Sequence, residues 1–192
     1  MQKQISFRQY CIMDLLMMTG LLVIAEIVIH MAVTNWFPSQ LYMISAVGII
    51  VTLVLMRWNA LAAVPAFAGG IVYGLLYHGT FKQVLIYGIG NLLAVVLVLP
   101  MKKIGKEKIQ HTHWLALLLG ACVCLLMQTG RMIVAMIMGY EFSSAAGFIT
   151  TDILSTVFTL VVTWIVCRVD GLFEDQKHYV LRIKREQEER RE

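Results

Sequence analysis

Six blocks of apolar residues follow one another along the chain, at about Cys11–Val33, Ser39–Met56, Ala60–Tyr77, Gln83–Met101, Trp114–Met138 and Ser144–Cys167. Polar and charged residues fill the short gaps between them. Crossing about 30 Å of hydrocarbon takes on the order of 20 residues in a helix, because lipid cannot hydrogen-bond an open backbone. The pattern predicts an all-α polytopic membrane protein with six transmembrane helices. They form one domain over 1–170, followed by a tail over 171–192, and the gaps are too short to hold a further domain.

Composition agrees with the pattern and removes other classes. Apolar residues make up 59% of the 192 positions and charged residues 15%, against about 45–50% and 25% in a soluble domain. The mean hydropathy is +0.74. With three prolines and no low-complexity tract, neither disorder nor a disulfide scaffold fits. The net charge of +4 would suggest nucleic acid only if the basic residues formed a stripe beside stacking aromatics, and they lie in the gaps instead. Cys11, Cys122, Cys124 and Cys167 sit within or at the ends of apolar blocks, without a redox or zinc spacing, and read as packing residues. Lys3 and Arg8 precede the first block as in a signal peptide, but that block is too long and lacks a small-residue cleavage site, so the reading is a retained helix.

The distribution of basic residues sets an expected orientation, since short loops rich in Lys and Arg stay cytoplasmic. Lys3, Arg8, Arg57, Lys102, Lys103, Lys106, Lys108, Arg168 and six tail residues fall on one side, and Lys82 alone falls on the other, with Arg131 inside the fifth block. Both termini are therefore expected in the cytoplasm, with the loops near Asn35–Pro38, His78–Lys82 and Gly139–Ser143 outside. The tail, Gly171–Glu192, balances six basic against six acidic residues. It reads as an amphipathic surface helix supported by the pairs Lys184/Glu188, Arg185/Glu189 and Glu186/Arg190.

Polar side chains within apolar blocks are costly, so their depth is informative. Glu26 and His30 lie four apart in the outer half of the first block, and Tyr73 and Tyr77 lie four apart in the outer half of the third. Tyr87 and Asn91 open the fourth, Gln128 and Arg131 fall on the outer side of the fifth, and Thr150, Thr151, Asp152 and Ser155 begin the sixth. The inner halves are Leu, Val, Ile, Met and Ala except for Asp14, which reads as hydrated or partner-facing. Such one-sidedness is what a solute pocket open to the outside and sealed below would produce. Asn35, Trp36, His78, Lys82, Tyr140 and Glu141 are candidate lids. Structural readings stand beside these: Arg131 with Asp152 as an ion pair, Glu26 with His30 as another, Tyr73, Tyr77 and Tyr87 as interfacial aromatics, and Lys82 as a snorkelling lysine.

Ala62, Ala66, Gly70 and Gly74 form a stripe of small residues that lets another helix approach closely, either a neighbour in the bundle or a partner subunit. Pro65 within the stripe predicts a local bend. Gly88, Gly90 and Ala94 in the fourth block read as packing positions.

Catalytic signatures are missing. No phosphate-cradling loop, HExxH or GxSxG occurs, and His111 and His113 read as solvated loop histidines, so neither an enzyme nor a metal or cofactor site is expected. Any ATP hydrolysis would belong to another chain.

Six short helices, a polar outer half and no nucleotide site, with the runs Phe67-Ala-Gly-Gly-Ile-Val-Tyr73 and Leu85-Ile-Tyr-Gly-Ile-Gly-Asn91, resemble the substrate-binding S component of an energy-coupling factor (ECF) vitamin transporter over most of residues 10–170. That resemblance implies a multi-pass protein of a bacterial cell membrane. It would capture a micronutrient from outside and work with a transmembrane coupling protein and two ATPase subunits. It also implies a substrate site drawn from Glu26, His30, Trp36, Tyr73, Tyr77, Lys82, Tyr87, Asn91, Gln128, Arg131 and Asp152. Many members carry an alanine-x-x-x-alanine contact on the first helix, whereas here Ala25 is followed by Ile29, so Ala62, Ala66, Gly70 and Gly74 are the candidate partner contact in its place. Arg131 with Lys82 or a histidine would hold an anion, Glu26 or Asp152 an amine, and Trp36, Tyr77, Tyr87, Tyr140 and Phe148 a heteroaromatic ring. A rod-shape scaffold protein and an ion-driven secondary transporter, with Glu26, His30 or Asp152 as proton carriers, are the competing readings.

Overall fold

The computed structural model describes residues 6–36, 44–169, 171–176, 179, 180 and 182. The described residues are helical throughout their regular parts and contain no strand. In chain order the helices are α1 (Phe7–Trp36), α2 (Val47–Trp58), a 3-10 turn (Asn59–Ala62), α3 (Ala63–Leu76) and α4 (Phe81–Asn91). A second 3-10 stretch (Leu92–Leu97), α5 (Val98–Ile104), α6 (Lys106–His111), α7 (His113–Ile137), α8 (Phe142–Thr150) and α9 (Ile153–Val166) follow. Five stretches among them are long and apolar enough to cross a membrane: Phe7–Trp36, Val47–Leu76, Phe81–Ile104, His113–Ile137 and Phe142–Val166.

One of the five is doubled back. In a straight helix Val47 and residue 69 would stand about 33 Å apart at 1.5 Å per residue, yet a Cβ on Gly69 would lie 2.9 Å from the Val47 side chain. The reversal falls at Asn59, which takes a left-handed φ of 55°, a conformation that asparagine tolerates better than most residues. α2 and α3 are therefore antiparallel arms of a hairpin, as the separate second and third blocks predict. The helix of the first arm begins at Val47, after residues 44–46, which are not helical. Pro65 stands in the first turn of α3, just after the 3-10 turn, where its missing N–H costs no α-helical bond.

All twelve residues of α2 are buried. α1, α3, α7 and α9 pack around it, so α2 is the axis of the bundle and its apolar side chains form the main core with Leu22, Ala62, Ala66, Ala116, Val123 and Phe173. The surrounding helices turn apolar stripes outward, among them Leu16, Met17, Ile24, Val28 and Met31 on α1, Leu118 and Leu125 on α7, and Val157, Val161 and Ile165 on α9. Exposed apolar surface on this scale suits hydrocarbon rather than water.

The end of the bundle that carries Arg57 and the first and last described residues is closed by a polar clamp. Asp14 is buried, which corrects the hydrated or partner-facing reading. The Arg57 guanidinium grips its carboxylate through Nη2 at 2.6 Å and Nε at 3.0 Å, and the Trp58 indole N–H donates to it as well. Arg57 Nη1 donates to the carbonyls of Gly171 and Leu172 at 3.0 and 3.2 Å. Phe173, fully buried, plugs the core beneath. Tyr10 donates to Gln176 at 2.8 Å, Gln110 to Glu174 at 2.8 Å, and Lys106 to Asp175 at 2.7 Å. Burial holds the Lys106 ammonium below the usual lysine range, with Asp175 offsetting part of that effect. The start of the tail is thus a docked turn segment, and the expected pairs Lys184/Glu188, Arg185/Glu189 and Glu186/Arg190 lie outside the described residues.

Candidate functional site

Close helix crossings assemble the opposite end. A Cβ on Gly70 of α3 would run into the backbone of Tyr87 and Gly88 on α4, 2.7 Å from the Gly88 nitrogen. On α4, a Cβ at Gly90 would meet the backbone nitrogen of Arg131 on α7 at 2.5 Å. Three helices therefore touch nearly backbone to backbone. Asn91, one residue beyond Gly90, is fully buried between them: its Nδ2 donates to the carbonyl of Ala66 at 3.1 Å and its Oδ1 accepts from Arg131 Nε at 2.8 Å.

This packing also settles the small-residue stripe. Ala62 and Ala66 are fully buried, Gly70 abuts Tyr87, and Gly74 faces Val84. As a partner contact the stripe is corrected: its surface is spent on α4 and on the core of the same chain.

Arg131 is the hub. It is buried, and its Nη1 donates to Asp152 Oδ2 at 2.6 Å. Its guanidinium also lies over the Tyr87 ring, 4.8 Å from the centroid. Asp152 stands at the break between α8 and α9, with φ −100° and ψ 19°. There its carbonyl accepts from Gln128 Nε2 at 3.4 Å, while Gln128 also donates to Thr156 at 3.0 Å. Arg131 and Asp152 are thus tied with Asn91 and Gln128 into one network across α4, α7 and the α8–α9 break.

From the hub a line of rings runs back to α1. Phe148 of α8 meets Tyr87 edge-on at 5.6 Å, Tyr87 leans on Tyr73 at 4.8 Å, Tyr73 on Tyr77 at 4.7 Å, and Tyr77 meets the His30 ring edge-on at 4.7 Å. Sequence depth alone had placed these rings at one level, and their mutual contact is the added fact.

Glu26 has a different role from an ion pair with His30. It is buried on α1, and its Oε1 accepts from Ser45 Oγ and from the Ala46 backbone N–H, both at 2.7 Å. The carboxylate caps the N-terminal end of α2, whose first N–H groups lack helical partners and whose dipole favours negative charge. Ser45 N donates in turn to Ser155 on α9 at 3.1 Å. Glu26 lies one turn before His30 on α1, and the His30 ring meets Tyr77, so the cap borders the ring line. Ser45 was not legible because its block reads as helix from Ser39. The sequence signal lay in a serine just before the most uniformly apolar run of the chain.

Trp36 and Lys82 stand apart. Both are exposed, Trp36 at the end of α1 and Lys82 in the first turn of α4, where Thr80 and Gln83 form a reciprocal capping box. Asn35, His78 and Glu141 are exposed as well, whereas Tyr140 packs beside Ile86, Ala135 and Ala145. Arg131, Asn91, Asp152, Gln128, Tyr73, Tyr77, Tyr87, His30 and Glu26 gather at one end. Comparison with known proteins gives no match to the chain among family models, curated proteins or solved structures.

Proposed function

We propose that the protein is a membrane-embedded solute-capture subunit of the ECF S-component type. It binds a vitamin-sized, heteroaromatic solute from outside a bacterial cell and relies on a coupling protein and two ATPases for energy. The observation that carries this reading is the continuous line of side chains from His30 through Tyr77, Tyr73 and Tyr87 to Arg131 and Asp152. It is drawn from four helices and the α8–α9 break, at one end of a bundle whose middle is apolar.

The α2–α3 hairpin supports six crossings, and the basic residues crowded at the clamped end support cytoplasmic termini. With the small-residue stripe consumed internally, the coupling protein would dock on another face.

The test is a thermal-shift screen of purified full-length protein against vitamin-sized solutes without ATP. A stabilising solute of about micromolar affinity or better, weakened by Arg131→Ala and Asn91→Ala, is the expected result. A panel with no hit would favour a scaffold, and uptake into vesicles without an ATPase would favour a secondary transporter.

A further inference from the structure

The polar end has an imbalance that selects among solutes. His30 aside, its formally charged side chains are two carboxylates, Glu26 and Asp152, against one guanidinium, Arg131. Arg131 is already committed: Nη1 to Asp152, Nε to Asn91, and its face to Tyr87. An incoming anion at Arg131 would have to sit beside the Asp152 carboxylate, which already holds Nη1 at 2.6 Å. Asp152 therefore already balances the charge of Arg131, and Lys82 lies on the exposed surface.

Glu26 presents the opposite situation. Both of its hydrogen bonds fall on Oε1, whereas Oε2, buried in a residue only 1% exposed, has no hydrogen-bond partner among the described residues. A carboxylate offers about four acceptor positions, so half of its capacity is unused. His30 Nδ1 and the Tyr77 hydroxyl are also buried without a partner, and those two rings touch at 4.7 Å. Buried polar atoms left unmatched each cost about 1–3 kcal/mol. Three of them, two on successive turns of α1 and one on the ring that meets His30, answer to a ligand that brings N–H donors.

We infer that the solute is a positively charged nitrogen heteroaromatic, held by Glu26 Oε2 with Tyr77 and His30 and stacked on the Tyr73–Tyr77–Tyr87 rings, not an anion held by Arg131. The inference rests on the solute-capture reading and narrows it. A cation gains twice here: from the unpaired carboxylate oxygen, and from the negative ring faces, which attract cations most strongly where water is excluded.

Isothermal titration of the full-length protein with three probes sharing one ring isolates the charge: 1-methylnicotinamide (cation), nicotinamide (neutral) and nicotinate (anion). The cation should bind about tenfold or more tightly than the anion. Glu26→Gln, which keeps an acceptor for Ser45 and Ala46, should bring the two within about threefold of each other. Tyr77→Phe, which keeps the ring, should weaken the cation while leaving thermal stability near wild type. Nicotinate binding as well as or better than 1-methylnicotinamide overturns the charge inference and leaves solute capture standing. Cation preference undiminished in Glu26→Gln overturns the assignment to Glu26. Failure of all three probes to bind, together with an empty vitamin screen, overturns both.

Discussion

Gly90 on α4 and Gly130 on α7 meet with no side chain between them: a Cβ on Gly130 would collide with the Gly90 carbonyl. This contact lets the Arg131 side chain reach Asn91 at 2.8 Å and so fixes the hub of the candidate site. Site geometry and helix packing are here one feature.

Gly130→Ala and Gly90→Ala should therefore destabilise the protein by about 1–3 kcal/mol or more, since overpacking a close crossing forces backbone shifts. Gly20→Ala, at a position where an added Cβ meets nothing within 4 Å, should be neutral or stabilising by up to about 1 kcal/mol. Thermal unfolding in detergent compares the three, and equal stability of Gly130→Ala and Gly20→Ala would refute the crossing.

The Arg131–Asp152 pair should show strong coupling. Removing either partner leaves a charge buried alone, at a cost of about 3–5 kcal/mol, whereas replacing both with apolar residues of similar volume costs much less. A double-mutant cycle with Arg131→Leu and Asp152→Leu measures the difference. Additive losses would mean that the two groups do not meet.

At the clamped end, Phe173→Ala should cost about 3–5 kcal/mol, because it empties a fully buried ring site in the main core. Arg182→Ala, which removes an exposed side chain 3.3 Å from its partner Glu174, should change stability by less than about 0.5 kcal/mol. A Phe173→Ala protein as stable as wild type would show that the segment after α9 does not hold the bundle closed.

The proposed orientation is open to chemical labelling. In a background without Cys11, Cys122, Cys124 and Cys167, a cysteine placed by Lys82→Cys should react with an impermeant maleimide on intact cells. One placed by Lys108→Cys should react only after permeabilisation. The reverse pattern would invert the topology and put the aromatic line on the cytoplasmic side.

Much of this architecture was legible because lipid dictates it. The length of hydrocarbon sets block length, and the block pattern predicts the helices and the separate second and third arms. The depth of Tyr73, Tyr87, Asn91, Arg131 and Asp152 was readable for the same reason, since each is expensive in lipid and their positions can be counted from the ends of the blocks. What could not be read depends on the register between helices. Arg57 looks like a loop charge until α1 brings Asp14 beneath it. Glu26 looks like a partner for His30 until α2 begins at Val47 and presents its end to the carboxylate. The stripe from Ala62 to Gly74 announces a close contact, but its partner, α4 of the same chain, follows only from the fold. The reversal at Asn59 and the break at Asp152 carry no proline or glycine to mark them; tertiary packing sets both.

The most direct test of the account is mass spectrometry of small molecules released from the purified wild-type protein, beside the Glu26→Gln variant. The account predicts one organic heteroaromatic solute in near-stoichiometric amount from the wild type, sharply reduced in the variant. Lipid and detergent alone from a wild-type preparation that also binds nothing in the solute screen would contradict it.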